Sequence, residues 1–135
     1  MKIDHIGIAC SDLRVAQKQY TELGYKVTQD LISDETRNLD YIFMENNGVV
    51  IELVGVTDKT KASDIDNILK NVKMLGNKMY HTCYLTKNIN ADIKKYENLG
   101  YTLLKVPTPA IACGNRNIAF LIHFSLGLIE LLEEE

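Results

Sequence analysis

The chain has 135 residues, of which 46% are hydrophobic and 24% are charged, with only two prolines. This composition is typical of a compact globular unit and excludes a disordered chain. The net charge of −3 comes from mixed signs without a run of lysine and arginine, so we expect no nucleic-acid partner.

The first half of the chain predicts a strand, a helix and three strands. Residues 2–9 form an apolar run of strand length. Ser11 or Asp12 offers an N-cap for a helix that runs to Gly24, a residue type favoured at the left-handed C′ position. The Asn-Gly pair within residues 46–48 predicts a hairpin turn. The predicted helix stripe is Leu13, Ala16, Tyr20 and Leu23, and the three later strands are predicted at 25–31, 39–45 and 49–54.

The second half predicts the same order of elements. Residues 79–85 read as a strand, and Asn88 or Asn90 offers the cap of a helix that ends at Gly100. Between the halves, Ser63 is predicted to cap a linker helix that stops at Gly76. The buried stripe of the second helix is predicted at Ile89, Ile93, Tyr96 and Leu99, that of the linker helix at Ile65, Ile68, Leu69, Val72 and Leu75, and the later strands at 101–106, 117–122 and 128–132.

An internal repeat explains this agreement. Residues 2–27 align without a gap to residues 78–103, at a constant offset of about 76 positions. His5 then matches His81, and the Tyr-x-x-Leu-Gly-Tyr motif recurs at the end of both helices. We therefore predict one domain of two similar βαβββ modules, with the first module at 1–57, the linker at 58–77 and the second module at 78–135.

Membrane insertion and export are not expected. No stretch has the pattern of a secretion signal, and the most apolar segment, 118–132, is interrupted by polar residues. We expect a cytoplasmic protein. Its cysteines, Cys10, Cys83 and Cys113, are odd in number and lack metal-type spacing, so they are predicted to be buried free thiols.

Four ionisable residues lie inside strands whose other residues are mostly apolar. They occur at equivalent places in the two modules: His5 and His81 in the first strands, Glu52 and Glu130 in the last strands. Strand alternation puts each glutamate on the same face as apolar neighbours. A carboxylate in such a place is costly unless it is paired, protonated or bound to a metal.

Taken singly, each of these residues is better explained as a hydrogen-bonded core histidine or an edge glutamate. Their symmetric recurrence favours a shared site of two imidazoles and two carboxylates. Such nitrogen and oxygen ligands suit one divalent ion, namely zinc, nickel, cobalt, manganese or ferrous iron. The sequence thus predicts an α+β fold whose two βαβββ modules form a curled sheet around a central metal site.

At these residues the sequence resembles the vicinal oxygen chelate superfamily, which includes glyoxalases, bleomycin resistance proteins and dioxygenases. The matching segments are 3–9, 51–54, 80–83 and 127–131, and the similarity is strongest to members like methylmalonyl-CoA epimerase and glyoxalase. The resemblance implies that His5, Glu52, His81 and Glu130 are the metal ligands. It implies an isomerase or lyase that removes a proton next to a metal-coordinated carbonyl or thioester, with the metal stabilising the resulting enolate.

Such chemistry requires a base close to the metal. We predict Glu130 as the base, with Glu52 as the second choice. Arg116 and Arg37 are weaker candidates for holding an anionic group of the substrate, and Cys83 shares the predicted face of His81. For these three residues, surface solvation of the arginines and a buried filler role of the cysteine are the alternatives.

Two other functions remain open at this point. One is a metal-free protein that sequesters a ligand, like the antibiotic-binding members of the superfamily. The other is ring-opening dioxygenase chemistry with ferrous iron, which uses two histidines and one carboxylate. In each case the expected partner is a small molecule, and members of the superfamily often form homodimers.

Overall fold

A computed structural model describes residues 1–70 and 77–135. This part of the chain divides into two compact units. We call Ile6–Tyr80 the first unit, and Met1–His5 together with His81–Glu135 the second unit. Along the chain, the order of strand, helix and three strands occurs twice, which confirms the predicted α+β class and the two βαβββ modules. The elements are β1 (Ile3–Cys10), α1 (Leu13–Glu22), β2 (Lys26–Asp34), β3 (Leu39–Asn46), β4 (Val49–Val56), α2 (Asp66–Leu69), β5 (Asn77–Thr86), α3 (Ile89–Asn98), β6 (Thr102–Ala110), η1 (Ile111–Cys113), β7 (Arg116–His123) and β8 (Gly127–Glu133).

In the first unit the strand order is β2-β3-β4-β1. Strand β1 runs parallel to β4, whereas β2, β3 and β4 form an antiparallel meander. Helix α1 covers one face of these strands, because its apolar stripe packs on alternate strand residues. That core contains Ile8, Cys10, Ile42, Met44, Ile51 and Leu53, with Leu13, Ala16, Tyr20 and Tyr25 against it.

The second unit repeats this arrangement. The opening residues of β1 lie beside β5, where the amide of Leu85 donates to the carbonyl of Lys2 at 2.8 Å. Strand β5 runs parallel to β8, and β8, β7 and β6 are antiparallel. Helix α3 covers one face, on a core of Ile89, Ile93, Ala119, Leu121, Ile129 and Leu131, with Tyr84, Tyr96, Tyr101 and Leu103 packed against it.

The helix caps and the first hairpin turn follow the local chemistry predicted from the sequence. Asp12 accepts the amide of Val15 at 3.1 Å, and Asn88 accepts that of Ala91 at 3.0 Å, so these residues are the N-caps. The C′ residues Gly24 and Gly100 have φ of 99° and 96°. The hairpin turn has positive φ at both Asn47 and Gly48, the signature of a type I′ turn.

Three predictions about the helices were wrong. Leu23 and Leu99, the last members of the two stripes, are 69% and 60% exposed because each lies at the C-cap, where the chain turns away from the core. Ser63 does not cap the linker helix: the N-cap of α2 is Ile65, and the Ser63 hydroxyl donates to Asp66 at 2.6 Å. Of the predicted linker stripe and stop, Val72, Leu75 and Gly76 lie outside the described residues.

Further observations concern the cysteines, the length of the helices and the segment before β7. All three cysteines are buried free thiols, as predicted. Among residues 1–70 and 77–135, no helix combines the length and apolar character needed to cross a bilayer. The short η1 helix was not predicted, and it ends at Gly114, whose φ is 67°.

The cap of α3 provides a test of the local structure. Replacing Asn88 by alanine should lower the free energy of unfolding by about 1 kcal/mol, because the Ala91 amide loses its acceptor. Asn90→Ala is the matched control, since Asn90 is exposed within the same helix turn and should leave stability nearly unchanged. Urea unfolding of both variants measures the difference. Equal losses in the two variants would contradict the assignment of the cap.

Candidate metal centre

Two of the predicted ligand residues lie on the face of β5 and β8 that helix α3 does not cover. Ile129 and Leu131 point toward the helix, so alternation directs Glu130 to the opposite face. Tyr84 packs on the helix side in the same way, which places Cys83 and His81 on the face of Glu130. We call this surface of the second unit the ligand face.

His5, His81 and Glu130 converge on this face. The Nε2 atom of His81 is 2.8 Å from Oε2 of Glu130 and 3.3 Å from Nε2 of His5. The Nε2 atom of His5 is 3.4 Å from the same Glu130 oxygen. The ligand atoms of the three residues therefore lie within 4.8 Å of one another. One imidazole from each module is brought together with one carboxylate, as the symmetry of the sequence predicted.

These three side chains are almost completely buried, with 1%, 4% and 2% exposure for His5, His81 and Glu130. Burial alone would raise the pKa of Glu130 and favour its neutral form. The charges of the two imidazoles and their hydrogen bonds outweigh burial and lower this pKa to about 2. Glu130 is consequently a carboxylate at neutral pH, which is the protonation state that a metal ligand requires.

Asp4 fixes the orientation of the His5 ring. Its Oδ2 atom lies 2.8 Å from Nδ1 of His5, and this hydrogen bond, followed by the charge of His5, lowers the pKa of Asp4 against the opposing effect of its partial burial. Because an ionised carboxylate only accepts, His5 carries its hydrogen on Nδ1. When His5 gives up its second proton, as it must to bind a metal, the lone pair forms on Nε2, the atom that lies beside His81 and Glu130.

Asp4 was missed by the sequence analysis. Alternation puts neighbouring strand residues on opposite faces, so a residue directly before a ligand is not an obvious partner for it. The available signal was its charge: Asp4 is an acidic residue next to a histidine in an otherwise apolar strand. Carboxylates that hold the second ring nitrogen of a metal-binding histidine are common.

Glu52, the fourth predicted ligand, belongs to the first unit. It lies on β4, is 4% exposed, and alternates with Ile51 and Leu53, which pack toward α1. Glu52 therefore lies on the strand face opposite α1, as Glu130 lies on the face opposite α3. The equivalence of the two glutamates in the repeat thus extends to strand, face and burial.

Of the two candidate arginines, Arg116 lies in the second unit, at the start of β7. It is partly buried, and its guanidinium donates to the carbonyls of Cys113 at 2.9 Å and Glu133 at 3.3 Å. Its positive charge also helps to lower the pKa of Asp4, whose largest influence is the hydrogen bond with His5.

Arg37 lies in the first unit and is only 8% exposed. Its guanidinium forms a 2.6 Å ion pair with Asp34, and its backbone amide donates to the same carboxylate at 3.3 Å. Surface solvation, the alternative considered from the sequence, is wrong for this residue because the pair is buried. The geometry is that of a turn-stabilising ion pair between β2 and β3.

Cys83 is fully buried on the ligand face, in register with Glu130. Burial raises the pKa of its thiol to about 12, although the hydrogen bond with His5 acts in the opposite direction. The residue is therefore a neutral thiol at physiological pH, which fits a packing role beside the imidazole.

The comparison with protein families gives one match that covers most of the chain. The model of the Glyoxalase/Bleomycin resistance protein/Dioxygenase superfamily matches residues 4–120. The chain belongs to this superfamily. The resemblance identified from the ligand strands is thereby confirmed. No curated protein matches the sequence.

Several solved structures have the same fold as this chain. A hypothetical protein from Bacillus halodurans C-125 is 24% identical, with a TM-score of 0.80 over 99% of this chain and 94% of its own. Methylmalonyl-CoA epimerase from Mycobacterium tuberculosis is 24% identical, with a TM-score of 0.79 over 98% and 87%. A Streptomyces coelicolor methylmalonyl-CoA epimerase in complex with 2-nitronate-propionyl-CoA is 23% identical, with a TM-score of 0.81 over 99% and 97%.

The Arg37–Asp34 pair predicts a large effect on stability. Arg37→Ala should lower the free energy of unfolding by about 3 kcal/mol, because it leaves a buried carboxylate without its cation. Arg14→Ala is the control: Arg14 pairs with Asp30 at 3.2 Å on the surface, where solvent screens the pair, so its loss should lower stability far less. Chemical denaturation measures both values. A loss at Arg37 no larger than at Arg14 would contradict the structural role.

Proposed function

We propose that this chain is a metal-dependent isomerase or lyase of the superfamily, which moves a proton on the carbon next to a carbonyl or thioester. The observation that carries the proposal is the buried convergence of His5, His81 and Glu130 within 4.8 Å. Three groups that each prefer water are costly to bury together without a bound cation. Membership of the superfamily supports the same reading.

The residues suit a single divalent cation. Two imidazole nitrogens and a carboxylate oxygen match the ligand preferences of zinc, nickel, cobalt, manganese and ferrous iron. The hydrogen bond from His5 to Asp4 leaves the Nε2 lone pair available for a metal. On the basis of the repeat, we assign Glu52 as the fourth ligand.

A bound divalent cation would act as a Lewis acid that stabilises negative charge developing on a carbonyl oxygen. Glu130 is proposed as the base that takes the proton from the adjacent carbon and returns it, with Glu52 as the second candidate. The apolar surroundings of Glu130 exclude water and strengthen its electrostatic interactions. Asp4 holds His5 in one tautomer and one orientation.

The substrate class is also proposed rather than given by the fold. Two solved methylmalonyl-CoA epimerases of similar fold are in complex with CoA thioesters, one with 2-nitronate-propionyl-CoA and the other with methylmalonyl-CoA. A thioester carbonyl is a suitable group for the proton transfer described above. We also propose that the protein acts in the cytoplasm as a homodimer.

Metal binding tests the ligand assignment. Protein purified without a metal-affinity tag should bind one divalent ion per chain, and His81→Ala should weaken zinc affinity by at least roughly 100-fold, because a ligand is lost. His123→Ala is the matched control, since His123 instead accepts the Ser125 amide in the β7–β8 turn. Metal analysis and calorimetric zinc titration provide the values. An equal effect of the two substitutions, or no bound metal, would contradict the site and favour a ligand-sequestering function.

Proton transfer tests the role of Glu130. Glu130→Gln retains an oxygen ligand but cannot accept a proton, so it should keep metal and lower exchange at the substrate carbon by at least about 100-fold. The measurement is deuterium uptake from D₂O into methylmalonyl-CoA, followed by mass spectrometry. Glu134→Gln serves as the control because Glu134 is exposed near the chain end. Undiminished exchange in Glu130→Gln would remove Glu130 from the role of base.

A further inference from the structure

A row of directly paired residues crosses the ligand face of the second unit from β8 to the edge strand β6. Phe120 on β7 is paired with Glu130 on one side and with Lys105 on the other. Directly paired residues of neighbouring strands point to the same face of a sheet. Lys105 therefore lies on the same face as the candidate base, two strands away and with an aromatic ring between them.

Around Lys105 the usual distribution of polar and apolar side chains in an edge strand is reversed. Its sequence neighbours Leu104 and Val106 are 57% and 65% exposed, whereas the charged Lys105 is partly buried. A strand with one solvated face normally directs its polar residues outward and its apolar residues inward. Here the charged side chain of Lys105 lies on the ligand face, whereas the two neighbouring apolar side chains are exposed to solvent.

Two irregularities in the pairing of β6 produce this reversal. The register with β7 shifts between Leu103 and Lys105, and again between Lys105 and Thr108. Leu103 packs on the helix side with the α3 core, so the first shift turns Lys105 to the opposite side. Bulges of this kind re-aim a side chain and are common next to active sites.

The first unit contains the equivalent row with one chemical difference. Phe43 on β3 is paired with Glu52 on one side and with Gln29 on the other, and the β2 register shifts on both sides of Gln29. Gln29 is exposed, and its amide donates to the carbonyl of Asp30 at 3.0 Å. Both rows thus contain a glutamate, a phenylalanine and two register shifts. The row of the first unit ends in the neutral amide of Gln29, and the row of the second unit ends in the cation of Lys105.

We propose that Lys105 binds an anionic group of the substrate, so that the enzyme acts on carbonyl compounds that carry a carboxylate or phosphate remote from the reacting carbon. This inference rests on the proposed metal-dependent function. Two strand spacings separate the backbones of Glu130 and Lys105 by about 10 Å, and the lysine stem can shorten that span. Phe120 provides an apolar surface for the part of the substrate between its carbonyl and its anionic group. The centroid of the Phe120 ring is 5.5 Å from that of the His81 ring.

Metal-binding hydroxamates with a charged or neutral tail test this proposal. The probes are the monohydroxamates of adipic and suberic acid and their counterparts with a terminal primary amide. Calorimetric titration of the zinc-loaded protein gives the affinity ratio between each carboxylate and its amide. We expect the wild type to prefer one of the carboxylates by roughly five-fold, a preference that decreases with added salt.

Lys105→Gln should abolish this preference, because it replaces the cation with glutamine, the residue type found at the equivalent position, Gln29, in the first unit. Lys94→Gln is the matched control: Lys94 is an exposed residue of α3, on the opposite side of the strands, and its loss should leave the preference unchanged. Circular dichroism and zinc content establish that both variants are folded and loaded.

The outcomes separate this inference from the proposed function. If every variant binds the amide probes but Lys105→Gln keeps the wild-type preference for carboxylate, the anion site is wrong and the metal site stands. That result, with increased aggregation of Lys105→Gln, would assign the lysine to protection of the edge strand. If no probe binds the zinc-loaded wild type, the metal site and the anion site are both wrong.

Discussion

The burial of ionisable groups within strands is the constraint on which the rest of this structure depends. An isolated charge in an apolar strand costs several kcal/mol, so it persists only where other groups compensate it. His5, His81 and Glu130 lie 2.8 to 3.4 Å from one another and offset part of this cost, and Asp4 holds the outer nitrogen of His5. The two helices contribute indirectly. In each unit the helix covers one face of the strands, and the polar residues lie on the face that the helix does not cover. The fold thereby positions the site.

The repeat gives the two halves equivalent frameworks with different chemistry. Both contain a histidine in the first strand and a glutamate in the last, and both have an edge strand that shifts register around one residue. The framework is what packing requires, since each helix needs the same alternating apolar stripe. The residue at the end of each row is less constrained, and there the halves differ as Gln29 and Lys105. Under the proposed function, the positions that the two halves share would provide the metal ligands, and the position at which they differ would recognise the substrate.

The sequence was sufficient for the elements with strong periodicity and for the residues that the repeat relates. It predicted both βαβββ modules and the convergence of the two histidines with Glu130, because a constant offset relates the histidines and the two glutamates occupy the last strands of equivalent modules. It failed where the outcome depends on local geometry. Leu99 fits the helical spacing but falls at the C-cap, and Lys105 reads as an ordinary edge lysine until the register shifts of β6 are known. The buried pairing of Arg37 depends on a turn that spacing alone does not define.

The central claim is that the convergent imidazoles and carboxylate bind a metal ion. A crystal structure of the zinc-loaded protein, with anomalous diffraction recorded on both sides of the zinc edge, tests this claim most directly. The account predicts one strong anomalous peak per chain, about 2 Å from Nε2 of His5, Nε2 of His81 and a carboxylate oxygen of Glu130. A peak elsewhere, or the same three side chains bonded only to one another at full zinc loading, would contradict it.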